Sequence, residues 1–154
     1  MKIGLISDTH GKLRAQVLEL FDGVDLILHA GDIGDQDIIT ELETIAPVHA
    51  VHGNTDDGEL SRRFAETVDL TIEGTRVIVA HGHRLGSPTP TLLRRAFPGA
   101  DVIVYGHTHV PLVDREHRPL VINPGAAGPA RFKLKPSVAI LALPSLAVTE
   151  IPID

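Results

Sequence analysis

Six short apolar segments of this chain each end in a glycine-marked turn that carries Asp, Asn or His. Apolar runs of this length, bounded by turn residues, are typical of buried strands. In open sheets with parallel strands, ligand sites form beyond the carboxyl ends of the strands. If several of these strands are parallel neighbours, their polar turns meet at one edge of the protein. The turn motifs, in chain order, are D-T-H-G, G-D-I-G-D, G-N-T-D-D-G, H-G-H, G-H-T-H and N-P-G.

The order of the predicted elements indicates an α/β fold with mixed sheets. Apolar residues at helical spacing predict helices over 12–21, 36–46 and 91–97, and the first two alternate with strands. The chain has 154 residues and no recognisable linker, which predicts one domain over 1–154. The predicted strands cover 2–7, 24–30, 47–52, 67–73, 75–80, 101–105, 110–114, 120–123, 137–143 and 146–151.

Composition argues against several classes of protein. The absence of Cys excludes disulfide frameworks, thiolate catalysis and thiolate-bound metals. A net charge of −6 and an aromatic content of 3% argue against a basic patch or a stacking platform for nucleic acid. No apolar run reaches the length of a membrane helix, and the first residues do not resemble a signal sequence. A soluble cytoplasmic protein without membrane contact is therefore expected.

The polar turns contain residue types that bind metal ions. Two pairs, Asp8 with His10 and His107 with His109, are spaced i, i+2, so on extended backbone both members of a pair point the same way. Carboxylate and imidazole groups without sulfur suit Mn, Fe, Zn, Ni or Co better than Ca. Seven candidates exceed the needs of one ion, whereas two ions that share a carboxylate would use them all. The candidate ligands are Asp8, His10, Asp32, Asn54, His81, His107 and His109.

Each motif also has an ordinary structural explanation when it is taken alone. A lone D-x-H is commonly a turn, G-D after a strand is commonly an N-cap or Asx turn, and His81 could be a packed core histidine. This explanation is weak for the whole set, because it must account for five polar strand ends in this order. A metal site is therefore the favoured interpretation.

The motifs in this order resemble those of the calcineurin-like metallophosphoesterase superfamily. The short chain and its added H-G-H and N-P-G segments are similar to the small single-domain phosphodiesterase branch of bacteria and archaea. That branch is related in fold to the metallophosphoesterase-like subunit of retromer. The resemblance extends over residues 1–131. It implies a sandwich of two packed mixed β-sheets flanked by helices.

The resemblance also implies a division of the ligands between two divalent ions, with Asp32 as the bridge. His10 and His109 bind more loosely in some relatives. His29 would support the site without binding metal, or pack in its strand, and Asp35 would orient a ligand by hydrogen bonding. The first ion would be held by Asp8, His10, Asp32 and His109, and the second by Asp32, Asn54, His81 and His107.

Two positions depart from the pattern of the superfamily. Many members have His directly after the Asn, where it faces the substrate phosphate and assists the leaving group, whereas this chain has Thr55. The candidate catalytic residues are therefore Thr55 and His83, with His52 as another source of a proton. The second departure is Ala126, which replaces the Ser of N-P-G-S. The candidate substrate contacts are Asn54, Thr55 and Asn123, and a tight turn is the equally weighted alternative at 123–125.

The resemblance implies hydrolysis of a small phosphate ester, and in particular of a phosphodiester. Two divalent cations lower the pKa of a bridging water, and the resulting hydroxide is the expected nucleophile. Mn is the expected metal, with Fe, Ni, Co or Zn as alternatives, and relatives often form homodimers or homotetramers. A mononuclear hydrolase would leave Asn54 and His81 without a role. The alternative function is a scaffold of the same fold with little or no catalysis, and the intact ligand set argues against it.

Overall fold

The computed structural model describes residues 1–131 and 133–154, which form two five-stranded mixed sheets flanked by helices. This architecture confirms the fold class predicted from the sequence. The strands are β1 (Lys2–Ile6), β2 (Leu26–His29), β3 (Val48–Ala50), β4 (Thr67–Ile72), β5 (Thr75–Ala80), β6 (Val102–Val104), β7 (Leu112–Asp114), β8 (Leu120–Asn123), β9 (Ser137–Ala142) and β10 (Ala147–Pro152). The helices are α1 (Ala15–Leu20), α2 (Gln36–Glu43), α3 (Glu59–Arg63) and α4 (Pro90–Ala96), with a 3₁₀ turn at His83–Leu85.

Parallel pairing brings the polar turns to the same end of each sheet. In the first sheet the strand order is β10-β9-β1-β2-β3, and β1, β2 and β3 are parallel neighbours. In the second sheet the order is β4-β5-β6-β8-β7, and β5, β6 and β8 are parallel neighbours. These six strands precede the six polar turns of the sequence. Their carboxyl ends therefore supply the loops from which a site can be built.

The core between the sheets consists mainly of aliphatic side chains from the inner faces. Ile3 and Leu5 of β1 belong to the same fully buried cluster as Val77 and Val79 of β5. Full burial of such a side chain contributes about 1.5–3 kcal/mol. This cluster contains many buried residues and stabilises the packing of the two sheets, which carry the loops at their ends.

Helices cover the outer faces of the sheets. Phe21, which follows α1, and Leu42 of α2 pack with Ile27 of β2. Gly4 of β1 makes room for this layer, because a Cβ at that position would lie 3.0 Å from the Phe21 ring. On the second sheet, Leu93 of α4 belongs to a separate buried cluster. In the described part of the chain, the helices are too short or too polar to cross a membrane.

One helix begins later than predicted, and another helix was not predicted. Helix α1 begins at Ala15 rather than at residue 12, because the preceding loop bonds to the next one. In that contact His10 N–H donates to the Asp32 carbonyl at 2.9 Å, and Gly11 N–H donates to the Ile33 carbonyl at 2.8 Å. Helix α3 has no counterpart among the predicted helices. It has five residues and only Leu60 is buried, so it has too few apolar positions to show a helical period.

Candidate metal centre

The loops after five parallel strands bring all seven candidate ligands to one end of the sandwich. Two groups of ligand atoms form there, and within each group all atoms lie within 4.8 Å of one another. The first group is Asp8, His10 and His109, and the second is Asp32, His81 and His107. Asn54 adjoins the second group, because its Oδ1 lies 3.0 Å from His81 Nε2 and 3.1 Å from His107 Nδ1.

In the first group, ring nitrogens approach one oxygen of Asp8. Asp8 Oδ1 lies 3.4 Å from His109 Nε2 and 3.8 Å from His10 Nε2. The two Nε2 atoms are 3.4 Å apart. Asp8 is fully buried, and its Oδ1 has no hydrogen-bond partner among the described residues. A buried carboxylate oxygen without a partner is unfavourable, and a cation held between these atoms would satisfy it.

Asp32 lies between the two groups. Its Oδ2 is 3.2 Å from His81 Nε2, in its own group, and 3.8 Å from His10 Nε2, in the other group. Its Oδ1 accepts a hydrogen bond from the backbone N–H of Thr55 at 2.9 Å. One oxygen is thus held by the protein, while the other faces ligands of both groups.

The chemistry of the donors fits divalent transition metals. The two groups and Asn54 offer carboxylate, amide and imidazole donors and no sulfur. Oxygen and nitrogen donors of this kind suit Mn, Fe, Co, Ni and Zn. A bound cation would also stabilise the buried Asp8 Oδ1, which has no hydrogen-bond partner among the described residues. The residues present therefore fit divalent-metal binding.

Hydrogen bonds from neighbouring groups orient the ligands. Asp8 Oδ2 accepts hydrogen bonds from Ser7 Oγ at 2.8 Å and from the His107 backbone N–H at 3.1 Å, which leaves Oδ1 for the site. His81 Nδ1 lies 2.8 Å from the Ala30 carbonyl oxygen. Since a carbonyl can only accept, Nδ1 carries the hydrogen and donates it. The Nε2 atom of His81 therefore faces the site, as is usual for histidine ligands.

The charged groups of the site shift one another's pKa. Burial raises the pKa of Asp32, but the hydrogen bond and charge of His81 outweigh burial and hold that pKa well below its usual range. Burial lowers the pKa of His81, but Asp32 and Asp8 raise it above its ordinary value. Burial lowers the pKa of His10 and of His107. The lowered pKa of His10 and of His107 favours the neutral ring, which is the form that binds metal, whereas the raised pKa of His81 favours the protonated ring.

The backbone at the site is strained. Eight described non-glycine residues have positive φ, and five of them are candidate ligands. These are Asp8, His10, Asp32, His107 and His109, with φ between 46° and 72°. Left-handed backbone costs about 1–3 kcal/mol at such residues. The finding corrects the expectation that the i, i+2 pairs lie on extended backbone, because tight turns aim these side chains.

His29 supports the site through Thr9. Its Nδ1 accepts a hydrogen bond from the Gly31 N–H at 3.1 Å, and its Nε2 lies 3.0 Å from Thr9 Oγ1. The Thr9 hydroxyl donates to the Ile33 carbonyl at 2.8 Å. His29 is fully buried, and burial lowers its pKa to about 4. Because both ring nitrogens are engaged, His29 is placed to link two ligand-bearing loops rather than to bind metal.

Asp35 does not orient a ligand as expected. Its Oδ1 accepts a hydrogen bond from the Asp37 N–H at 2.9 Å, which caps α2, and the residue is exposed. The buried Asp56 organises the neighbouring loops instead, through hydrogen bonds from backbone N–H groups. The G-N-x-D spacing was the available signal for Asp56, since an Asp so close to a ligand can fold back onto the backbone.

Asn123 is also placed differently from the expected substrate contact. It is fully buried, and its Nδ2 donates to the Gly106 carbonyl at 3.3 Å and to Thr108 Oγ1 at 3.0 Å. Its Oδ1 accepts a hydrogen bond from the Gly125 N–H at 2.9 Å. Every polar group of the side chain is thus engaged. Asn123 holds the G-H-T-H loop and the following turn, which leaves it no free group for a substrate.

Thr55 is directed at Asp32. Its backbone N–H donates a hydrogen bond to Asp32 Oδ1 at 2.9 Å, and Thr55 lowers the pKa of that carboxyl. The substitution of His by Thr at this position therefore gives the chain a group that holds a candidate ligand.

His83 lies beside the second ligand group. Its ring centroid is 5.5 Å from that of His81 and 6.5 Å from that of His107. Its Nδ1 is buried and has no hydrogen-bond partner among the described residues. The ring of His52 lies 6.5 Å from that of His83, and its Nδ1 donates to the Phe64 carbonyl at 2.8 Å. His83 is the closer of these two histidines to the ligands.

Comparisons with known proteins agree with this geometry. The profile of the calcineurin-like phosphoesterase superfamily domain matches residues 1–145. A probable metallophosphoesterase of Methanothermobacter thermautotrophicus is 40% identical over 155 residues, which cover 93% of this chain and 86% of that protein.

Solved structures show the same fold. The structure of an archaeal phosphodiesterase superposes with a TM-score of 0.83 and 28% identity, over 99% of this chain and 100% of that chain. Vps29 of Entamoeba histolytica, in complex with zinc, superposes with a TM-score of 0.79 and 21% identity, over 100% and 99% of the two chains. The second likeness shows the fold alone. Together with the ordered motifs and the two ligand groups, these matches establish that the chain belongs to the calcineurin-like phosphoesterase superfamily.

Proposed function

We propose that this protein is a phosphodiesterase that depends on two divalent metal ions. The observation that carries the proposal is the position of Asp32, whose Oδ2 faces ligand atoms of both groups, at 3.2 Å in one and 3.8 Å in the other. Asp8 Oδ1 also approaches the second group, at 3.8 Å from His81 Nε2, and a site for one ion would not need carboxylates between two sets of ligands. The phosphodiesterase activity of the archaeal relative supports the choice of substrate class.

Each ion would have four protein ligands. Two bound divalent cations would activate water near neutral pH and neutralise charge on the phosphate. The net charge of −6 does not oppose an anionic substrate, because bound cations dominate the local field. The first ion would be held by Asp8, His10, Asp32 and His109, and the second by Asp32, Asn54, His81 and His107.

The residues of this chain prepare the site before metal binds. The Ser7 hydroxyl and the His107 N–H hold Asp8 Oδ2, so Oδ1 is oriented in advance. Thr55 holds Asp32 in the same way. His83 is the candidate to contact the leaving group, because it is the imidazole beside the second group that the ligand set does not use. Asn54, which is exposed, would both bind the second ion and contact the substrate.

Mn is the metal we expect to activate best. Four of the seven candidate ligands are imidazoles, which favour Mn or later transition metals over Mg. The substrate would be a small phosphate diester.

A scaffold function is the competing proposal, and metal binding does not separate the two. A Vps29 structure with the same fold holds zinc, so a metal-loaded protein alone is not evidence for catalysis. The relatives favour the enzyme, since a probable metallophosphoesterase is 40% identical to this chain and an archaeal phosphodiesterase is 28% identical.

The test is hydrolysis by protein whose metal content has been removed and verified by elemental analysis. Mn, Ni, Co, Zn or Mg is added back, and bis-p-nitrophenyl phosphate, p-nitrophenyl phosphate and cyclic nucleotides are the substrates. We expect activity that requires added metal and is higher with Mn than with Mg. Asp32→Ala, purified in parallel, controls for contaminating phosphatases. Full activity of the verified metal-free protein would overturn the proposal, and no hydrolysis with any metal would favour the scaffold.

A further inference from the structure

Asp56 is a buried carboxylate that lies next to the candidate ligands but is not one of them. Only 6% of the residue is exposed. Its Oδ2 accepts hydrogen bonds from the N–H groups of Ile33 at 3.0 Å and Gly53 at 2.9 Å, and its Oδ1 accepts one from Gly34 at 3.0 Å. Three backbone donors thus converge on one side chain.

These donors come from two different loops. Ile33 and Gly34 follow Asp32 directly, and Gly53 directly precedes Asn54. The single carboxylate therefore joins the loop of the proposed bridging ligand to the loop of the amide ligand. Hydrogen bonds to an ionised acceptor are stronger than those between neutral groups, so the connection resists separation of the loops.

The backbones of the same two loops are also closely packed. A Cβ at Gly53 would lie 2.1 Å from Asp32 Oδ1 and 2.5 Å from Asp32 N. A Cβ at Gly31 would lie 3.0 Å from Gly53 N. The backbones are thus in direct contact, with Asp56 holding them from one side. This close packing and the Asp56 hydrogen bonds together restrict the position of Asn54 relative to Asp32.

We propose that Asp56 is a positioning residue that sets the metal affinity of the second site by fixing Asn54 against Asp32. The inference rests on the proposed function, because it assumes two metal sites. Asn54 contacts His81 and His107 of the second group. A displaced Asn54 therefore weakens the second ion more than the first.

Asp56→Asn is the sharpest variant. The amide has nearly the shape of the carboxylate but replaces one acceptor by an NH₂ donor. In either orientation, that donor faces at least one of the three backbone N–H groups. A buried donor without an acceptor is unfavourable. Substitutions of groups that orient ligands typically reduce metal affinity about 10–100-fold, and we expect a loss in this range at the second site.

Asp57→Asn is the matched control. Asp57 is the next residue, is exposed, and loses the same charge on substitution. An effect of charge alone would appear in both variants, whereas an effect of the three hydrogen bonds appears only in Asp56→Asn. Asp56→Ser is a second variant, because its small side chain leaves room for water beside the N–H groups and favours folding.

The experiment titrates metal-free wild type and the three variants with Co²⁺, followed by visible absorption and calorimetry, with urea unfolding as the check of folding. We expect two ions in wild type and Asp57→Asn. In Asp56→Asn and Asp56→Ser we expect a first ion of near wild-type affinity and a second ion that binds at least about 10-fold more weakly.

The outcomes separate the two proposals. A wild-type protein that binds one ion overturns the dinuclear function and this inference with it. Two ions in wild type, with unchanged affinities in both Asp56 variants, overturn this inference alone. Equal weakening of both ions, in step with lower resistance to urea, shows a general structural role and also overturns it.

Discussion

His107 and His109 are separated by one residue but belong to different ligand groups. His109 Nε2 lies 3.4 Å from Asp8 Oδ1, whereas His107 Nδ1 lies 3.1 Å from Asn54 Oδ1. Both residues have left-handed backbone, with φ of 72° and 64°. The G-H-T-H turn therefore spans the site instead of presenting both rings to one ion.

This arrangement predicts that the two histidines control different ions. We expect His109→Ala to weaken the first ion and His107→Ala to weaken the second, because each variant removes a donor from one group only. Co²⁺ titration followed by visible absorption measures both affinities. Identical loss of both ions in the two variants would contradict the separation of the groups.

Asp32 and Asp35 are a matched pair for testing the bridge. Asp32→Ala should lose activity and metal stoichiometry together, because it removes the proposed bridge, whose Oδ2 faces ligand atoms of both groups. Asp35→Ala should have little effect on metal content, since Asp35 is exposed and caps α2. Elemental analysis after dialysis is the measurement. Two tightly bound ions in Asp32→Ala would show that Asp32 is not the bridge.

Thr55 predicts a preference among leaving groups. Its backbone N–H is bonded to Asp32, and its hydroxyl cannot supply a proton near neutral pH as an imidazole can. We expect clear activity on aryl phosphodiesters and weak activity on alkyl phosphomonoesters, since poor leaving groups need protonation most. General acid assistance contributes about 10²–10⁴-fold where it operates. Thr55→His should recover part of this for alkyl esters and change aryl esters little.

The controls for this prediction are His52→Ala and His83→Ala. A steady-state comparison on one aryl and one alkyl ester shows whether either histidine already supplies the proton. Equal rates of wild type on both esters, with neither alanine variant changing the ratio, would refute the role assigned to Thr55.

His29 predicts that stability falls in mild acid. Its pKa of about 4 in the folded protein lies below the ordinary value of 6.5. Between these pH values the unfolded chain binds more protons, so stability is present above pH 6.5 and is lost as pH falls toward 4. Over this whole pH range, the difference between the two pKa values of His29 lowers the free energy of unfolding by about 3 kcal/mol. Urea unfolding of metal-free protein at pH 7 and pH 4.5 measures it, and His29→Gln should show a smaller decrease than wild type.

Asn123 predicts a coupled effect on stability and metal binding. Asn123→Asp keeps the acceptor for the Gly125 N–H but cannot donate to the Gly106 carbonyl. The buried Gly106 carbonyl then lacks its donor, which should lower the free energy of unfolding by about 1–3 kcal/mol. Urea unfolding of the metal-free protein measures this cost. We also expect weaker metal binding, because the G-H-T-H turn carries two candidate ligands, and wild-type metal affinity in Asn123→Asp would contradict this role.

The chemical identity of the site follows from local sequence. D-T-H, G-D, G-N, H-G-H and G-H-T-H each place a donor directly after an apolar strand segment. Strand length and turn residues are short-range properties, so the strands and the convergence of their ends could be predicted. The family and the fold followed from the same motifs. Helix α3 could not be predicted, because the burial of Leu60 depends on distant residues.

The roles of the supporting residues were decided by tertiary structure. Asp35 and Asp56 are both acids in turns that follow a candidate ligand, and the G-N-x-D spacing shows only that Asp56 can fold back onto the backbone, not that it reaches a second loop. Asp56 joins two loops because its carboxylate accepts hydrogen bonds from a distant segment. One of these donors is the N–H of Ile33, which lies 23 positions earlier in the chain. Asn123 likewise turns inward to Gly106 rather than outward to a substrate. Sequence by itself determined which donors this protein has. Only the packing of the loops decided which groups hold them in place, because hydrogen bonds between distant segments have no local sequence signature.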